Sequence, residues 1–313
     1  MTATGPNRVP TATERAASTG SWLLPPLRPS TMGTPDDLAS RRAALGALTR
    51  PTPDPEVAVQ DTWYAGVPCT VCTPPEPRDV LVYFHGGGYR LGSAAQFTRF
   101  AARLAGAARA RVVVVDYRLA PEHPYPAALH DATKVYEQVL AASGTPPIAV
   151  GDSAGGGLAA ALVVACAQAG VTAPRGLVLM SAWLDLRCAA ASFRSRSATD
   201  QLFSLEAARQ AADQYLQGHD PADPLASPLV ADVAAFPPAL LFVSADEVLL
   251  DDTVAMAAAL ARSRVPVTTV VTPGVPHTWP SVAPDLPAST AALDLVARFV
   301  DGLSAVDGLS AQE

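Results

Sequence analysis

Four consecutive valines, Val112-Val113-Val114-Val115, interrupt a chain that otherwise alternates short apolar runs with helical ones. A strand that is apolar at every position must be covered on both faces, and that is the condition of a parallel sheet held between helix layers. Residues 79–84, 111–116, 148–150, 176–180, 239–243 and 267–271 read as strands of this kind, and stretches near 94–109, 127–142, 154–169, 252–264 and 288–302 read as helices between them. Two earlier strands, near 56–64 and 67–72, read as a hairpin. The pattern predicts an α/β fold with a mostly parallel central sheet flanked by helices. No internal repeat is visible.

Two segments fall outside this rhythm. Of the 30 prolines, 13 lie in residues 1–77, so the start of the chain reads as an irregular arm with one short helix near 36–48, opened by Asp36 or Asp37. Residues 183–237 hold no sheet strand, and a connection of that length carries structure or function of its own. The expected organisation is an arm over 1–54, a core over 55–182 and 238–303, an inserted helical segment over 183–237 that forms a cap with the arm, and a tail over 304–313.

The formal net charge of -7 argues against nucleic acid or an anionic membrane as partner. No run reaches the roughly 18 apolar residues of a membrane span. Residues 1–20 lack a basic start followed by an apolar run, so a cytoplasmic protein is expected. The cysteines Cys69, Cys72, Cys166 and Cys188 are too few and scattered for a disulfide scaffold. Cys69 and Cys72 form a single C-x-x-C without the second pair a zinc site needs, and in a strand their odd spacing sends them to opposite faces. Neither a metal nor an organic cofactor is implied.

The chemistry concentrates in two glycine-rich turns. Gly151-Asp152-Ser153-Ala154-Gly155 follows the strand at 148–150 and opens an apolar helix, the strand–turn–helix setting in which a G-x-S-x-G serine is projected as a nucleophile. His85-Gly86-Gly87-Gly88 ends the strand at 79–84, and its backbone can approach a substrate closely. The N–H groups of Gly86, Gly87 and Ala154 are the expected oxyanion donors. Among His85, His123, His130, His219 and His277, only His277 follows the last strand in a loop able to reach a strand-end serine. Asp246, just past the strand at 239–243, is the expected acid, with Glu247, Asp251 and Asp252 as close rivals. Asp251 or Asp252 reads as a helix N-cap. In this scheme Ser153 attacks, His277 takes and returns the proton, and Asp246 holds the imidazole tautomer.

The order Ser153, Asp246, His277 is that of the α/β-hydrolases. With H-G-G-G at 85–88 and G-D-S-A-G-G at 151–156, the chain resembles the hormone-sensitive-lipase-like esterases (bacterial family IV) of that superfamily. Residues 116–127, D-Y-R-L-A-P-E-H-P-Y-P-A, are similar to a third family signature, which supports the oxyanion loop, so Asp116 and Glu122 are expected to be structural. The resemblance spans roughly residues 55–303. In place of the family's D-P-L-x-D stands Asp246-Glu247-Val248-Leu249-Leu250-Asp251, and Thr278-Trp279 follow the histidine where Gly-Phe is common. Both variants look like those of monoterpene lactone hydrolases.

The resemblance implies hydrolysis of small short-acyl esters through an acyl-enzyme, with a lactone hydrolase as the alternative and a non-catalytic ligand receptor as a remote one. A homodimer through the last strand, 267–271, is a further expectation from relatives. Tyr89, Trp183, Phe203 and Trp279 are the expected substrate-binding aromatics, with Trp22, Leu23, Leu24, Phe193 and Leu202 as other candidates for the lining.

Overall fold

In the computed structural model, which describes residues 22, 24–28, 30–47 and 56–310, eight strands form one sheet. They are β1 (Ala58–Tyr64), β2 (Val67–Thr73), β3 (Asp79–Phe84), β4 (Ala110–Val115), β5 (Ile148–Asp152), β6 (Leu177–Met180), β7 (Ala239–Ser244) and β8 (Val267–Thr272). The helices are α1 (Asp36–Gly46), α2 (Ala94–Ala108), α3 (Ala127–Ser143), α4 (Ala154–Ala169), α5 (Ser192–Ser195), α6 (Leu205–Leu216), α7 (Leu250–Arg262), α8 (Trp279–Val282) and α9 (Pro287–Ser310). The spatial order is β1-β2-β4-β3-β5-β6-β7-β8. β1 and β2 form the expected antiparallel hairpin, β2 pairs antiparallel with β4, and the remaining pairs are parallel.

The valine run accounts for the layering. Val113 and Val115 join one core with Val82 and Phe84, under α3, α4 and α7, while Val112 and Val114 join the opposite core with Leu81 and Tyr83, under α2 and α9. Successive side chains of one strand therefore feed two cores, as the period of two requires. Cys69 and Cys72 divide between the same two cores. Each fully buried Val or Leu contributes about 1.5–3 kcal/mol, so the sheet centre is the anchor of the fold.

The inserted segment 183–237 holds α5, α6 and a 3-10 turn, Pro228–Val230. Ser204 caps α6, its hydroxyl accepting the Ala207 N–H at 3.2 Å. The arm lies against this segment. Arg28 donates to the carbonyls of Leu216 and Tyr125 at 2.6 and 3.2 Å, and Thr31 N–H donates to Gln217 Oε1. Arg42 on α1 pairs with Glu122 at 2.6 Å and donates to the carbonyls of Arg90 and Ala120. Two boundaries differ from expectation. The helix expected from 252 begins at Leu250, and α9 continues to Ser310, so residues 304–310 are helix rather than a separate tail. Residues 1–21, Leu23, Pro29, 48–55 and 311–313, parts of the expected arm and tail, lie outside the described residues.

Candidate active site

β3, β5, β7 and β8 run parallel, so their C-terminal ends deliver four loops to one edge of the sheet. After β5 the backbone turns sharply at Ser153, which adopts φ 52° and ψ -122°. A non-glycine residue there costs on the order of 1–3 kcal/mol and persists only where its surroundings fix it. Ser153 N–H donates to the Met180 carbonyl at 3.0 Å, and the Ser153 carbonyl accepts from Trp183 N–H at 2.9 Å. The turn needs glycine behind it: a Cβ on Gly155 would stand 2.0 Å from the Phe84 carbonyl oxygen.

His277 comes from the loop after β8, and its Nε2 lies 3.0 Å from Ser153 Oγ. Its Nδ1 lies 3.1 Å from Glu247 Oε2, and both side chains are nearly closed to solvent. The expected acid was Asp246, and here the structure corrects the sequence reading. The turn after β7 sends the Asp246 carboxylate outward to the Gly274 N–H at 2.6 Å, so it braces the histidine loop instead of the imidazole. Matching the last Asp of D-P-L-x-D to Asp251 puts Glu247 in the acid position, and that register was the signal available. Asp251 and Asp252 fall in the first turn of α7, where Leu249 is the cap. Asp251 accepts the Ser192 N–H, and Asp252 accepts those of Leu184 and Asp185.

Burial by itself would lower the His277 pKa, but the Glu247 carboxylate, through charge and hydrogen bond, and Asp200 and Asp152 beyond it, hold it above the ordinary imidazole value. Asp200 also links the site to the inserted segment. Its carboxylate accepts the N–H groups of Val248, next to Glu247, and of Leu202 and Phe203.

The glycine loop after β3 follows a second correction. Gly86 N–H donates to Asp152 Oδ1 at 2.9 Å and is therefore committed within the protein. Gly87, Gly88 and Ala154 N–H have no acceptor among the described residues, and Gly88 is the one of these free N–H groups that sequence reasoning missed. Ala154 opens α4, and the first N–H groups of a helix have no partner within it. Asp152 is the loop's anchor, also accepting from the Tyr83 hydroxyl. Burial pushes its carboxyl up to about 6 against the lowering effect of those donors. The 116–127 stretch braces the same loop. Tyr117 hydroxyl donates to the His85 carbonyl at 2.6 Å, Ala120 N–H donates to the Tyr89 carbonyl, and Asp116 accepts the first N–H of α2.

A cavity of about 690 Å³ opens above Ser153 and His277. Phe203 lines it, parallel to the His277 ring at 5.9 Å between centroids, and Leu202 stands beside it. The other three expected aromatics are core. Tyr89 stacks on Tyr215 at 3.9 Å, Trp183 packs edge-on behind Phe203, and Trp279 packs against Phe242. Each is nearly closed to solvent and outside the cavity lining. Phe193 is likewise core; Trp22 and Leu24 pack on the core, and Leu23 lies outside the described residues. Arg41, Leu45 and Gly46 of α1 line the cavity, a contribution with no signal in the sequence. His85 is stacked between Tyr117 and Phe97, His130 contacts the Pro25 carbonyl, and His219 contacts Asp223. None of the three approaches Ser153 by a hydrogen bond.

Comparison with known proteins agrees with this fold. A family model described as alpha/beta hydrolase fold matches residues 81–281. The chain is 40% identical over 223 residues to an acetyl-hydrolase of Streptomyces hygroscopicus, covering 70% of this chain and 74% of that protein. It is similar to the solved structure of an esterase from the bacterial hormone-sensitive lipase family, with a TM-score of 0.79, 34% identity, and 92% and 94% of the two chains covered. It is also similar to EstE5 soaked with p-nitrophenyl butyrate, with a TM-score of 0.82, 30% identity, and 89% and 94% covered.

Proposed function

The chain belongs to the alpha/beta hydrolase fold family, and we propose that within it Ser153, His277 and Glu247 form the triad of a carboxylic-ester hydrolase acting on small short-acyl esters. The chain of contacts from Ser153 Oγ to His277 Nε2 at 3.0 Å and from His277 Nδ1 to Glu247 Oε2 at 3.1 Å carries the reading.

Ser153 Oγ attacks the ester carbonyl while His277 Nε2 takes its proton. The oxygen that becomes negative is received by the N–H groups of Gly87, Gly88 and Ala154. Such preorganised donors are worth roughly 100- to 1000-fold in rate apiece. His277 then protonates the leaving alcohol, and the acyl group stays on Ser153. Water, deprotonated by His277, attacks that acyl-enzyme and releases the acid. Glu247 keeps the proton on Nδ1 and steadies the imidazolium through both halves. Side chains, backbone and water carry every step.

The short-acyl preference is supported by the Phe203 and Leu202 wall beside Ser153 and by the acetyl-hydrolase and butyrate-soaked relatives. We assign the arm and residues 183–237 to a cap over this cavity, on the strength of the Arg28 and Arg42 contacts. Four buried free cysteines suit the reducing cytoplasm. Among the described residues β8 ends the sheet with an unpaired edge, the edge through which a homodimer would form.

The test is a series of p-nitrophenyl esters from acetate to octanoate with simple lactones alongside, run on the protein and on Ser153→Ala. Turnover that peaks between acetate and butyrate and vanishes in Ser153→Ala is expected. A lactone or octanoate optimum would overturn the substrate class, and activity surviving in Ser153→Ala would overturn the triad.

A further inference from the structure

Arg90 lies two residues beyond Gly88, lines the cavity and is only 4% exposed. Its Nη1 donates to the side-chain oxygens of Gln214 at 3.0 Å and Gln210 at 3.4 Å, one turn apart on α6. Both acceptors are neutral. Among the described residues no carboxylate lies within ion-pairing distance of Arg90. The charges that act on it all belong to α1: Asp37 favours its ionised form, Arg41 and Arg42 oppose it, and burial opposes it most. Arg42 is already paired with Glu122. A buried guanidinium left in this condition is an unfavourable element of the folded state until an anion joins it.

One donor of this guanidinium remains open. Nε is closed to solvent and has no acceptor, and Nη2 donates to no described residue. Nη2, neither paired nor closed off, is the donor a ligand carboxylate can reach, through one charge-assisted hydrogen bond. Gln210 and Gln214 hold Nη1, so Nη2 is oriented before anything binds. Nε stands 3.8 Å from where a Cβ on Gly88 would lie, which puts the guanidinium beside the glycine loop. Arg41, also on the cavity wall and without an ion pair among the described residues, adds a second positive charge at the rim.

We propose that Arg90 forms an anion subsite within the cavity, and that the esters this enzyme handles best carry a free carboxylate a few bonds from the scissile carbonyl. The proposal rests on the serine-esterase reading and narrows its substrate class. Neutral glutamines in place of acids on α6 leave the positive charge available to a ligand.

The experiment compares matched pairs: monoethyl glutarate with ethyl pentanoate, and 4-acetoxybenzoate with its methyl ester, with products followed by chromatography. In at least one pair the charged member should exceed the neutral one in kcat/KM by about tenfold or more. Arg90→Gln should cut that ratio by about 10- to 100-fold, and Arg90→Lys, which keeps the charge but not the planar guanidinium, should retain part of it. Glutarate should compete with neutral esters in the unaltered protein and lose that effect in Arg90→Gln. If neutral esters are preferred, or if Arg90→Gln and Arg90→Lys slow both members of each pair in proportion, Arg90 is a brace between loop and α6 and the subsite is overturned. Turnover of neither member by the unaltered protein would overturn the esterase reading itself.

Discussion

Glu247 Oε2 faces His277 Nδ1 at 3.1 Å, while the carboxylate of the preceding residue reaches the Gly274 N–H at 2.6 Å. Two adjacent acids after β7 thus serve one histidine in different ways. Glu247 meets the imidazole, and Asp246 fixes the loop that presents it.

That division predicts unequal losses. Glu247→Gln removes the charge that stabilises the imidazolium and allows the wrong tautomer, and should lower kcat by about 1000- to 10,000-fold, as in the protease triad. Asp246→Asn keeps an oxygen for the Gly274 N–H and should cost less than about tenfold. The two kcat values on p-nitrophenyl acetate decide the matter. A larger loss in Asp246→Asn would return the acid role to that residue.

The imidazole must be neutral to accept the Ser153 proton, so kcat/KM should rise with pH along a single limb. Burial pulls the His277 pKa down, yet Glu247, Asp200 and Asp152 together prevail, so the midpoint should lie above the ordinary value of 6.5. Removing a raising influence must move the limb to lower pH. Residual activity of Glu247→Gln should show that displacement, and Asp200→Asn a smaller one in the same direction. A limb that stays put in both variants would mean that another group controls it.

Asp152 holds the Gly86 N–H at 2.9 Å, just before the proposed oxyanion donors at Gly87 and Gly88. Asp152→Asn should therefore reduce kcat by about 10- to 100-fold while KM changes by less than about threefold, the signature of an interaction made in the transition state. Tyr83→Phe, which removes one donor to the same carboxylate, should produce a smaller loss of the same kind. Equal changes in KM would place Asp152 in substrate binding instead.

Phe203 sets the width of the cavity beside His277, with the buried Trp183 behind it. Phe203→Ala opens space without touching the triad, so the ratio of octanoate to acetate kcat/KM should rise by about tenfold or more, the contact of a few methylenes. An unchanged ratio would move the acyl group to another wall.

The layers of this fold were legible because the chain repeats one rule: Val112 to Val115, like Leu81 to Phe84, are apolar at every position, and only a sheet covered on both faces accepts that. That Ser153 and His277 meet, at 3.0 Å, was legible because each follows the end of a parallel strand. The errors arose where neighbours along the chain differ in direction. Nothing local tells which of Asp246 and Glu247 turns inward, since the turn after β7 is fixed by Ser244, Thr199 and the 273–277 loop. Gly86 lost its free N–H to a carboxylate brought in from β5, and Tyr89 lost its place on the wall by stacking on Tyr215 of the insertion. Both are long-range pairings, and a motif read along the chain does not say which distant residue each of its members meets.

Asp252 makes the last prediction, about stability. Its buried carboxylate accepts the Leu184 and Asp185 N–H groups at 3.0 and 3.1 Å, joining the start of the insertion to α7. Burial raises its pKa from 3.8 to about 7, with the neighbouring Asp185 and Asp251 charges adding to the effect and the two N–H donors opposing it. The folded protein consequently holds this proton through a pH range in which the unfolded chain has released it. Stability from this group is complete below about pH 4, falls as pH rises toward 7, and levels above. Between pH 5 and pH 8 the decline amounts to about 2–3 kcal/mol at most. Asp252→Asn is neutral throughout and keeps an acceptor oxygen, so it should lack this decline. Urea unfolding of both proteins at pH 5 and pH 8 measures the difference, and contributions from other groups, Asp152 included, are common to both and cancel. Parallel losses in the two proteins would show that Asp252 ionises in the folded state as easily as it does in water.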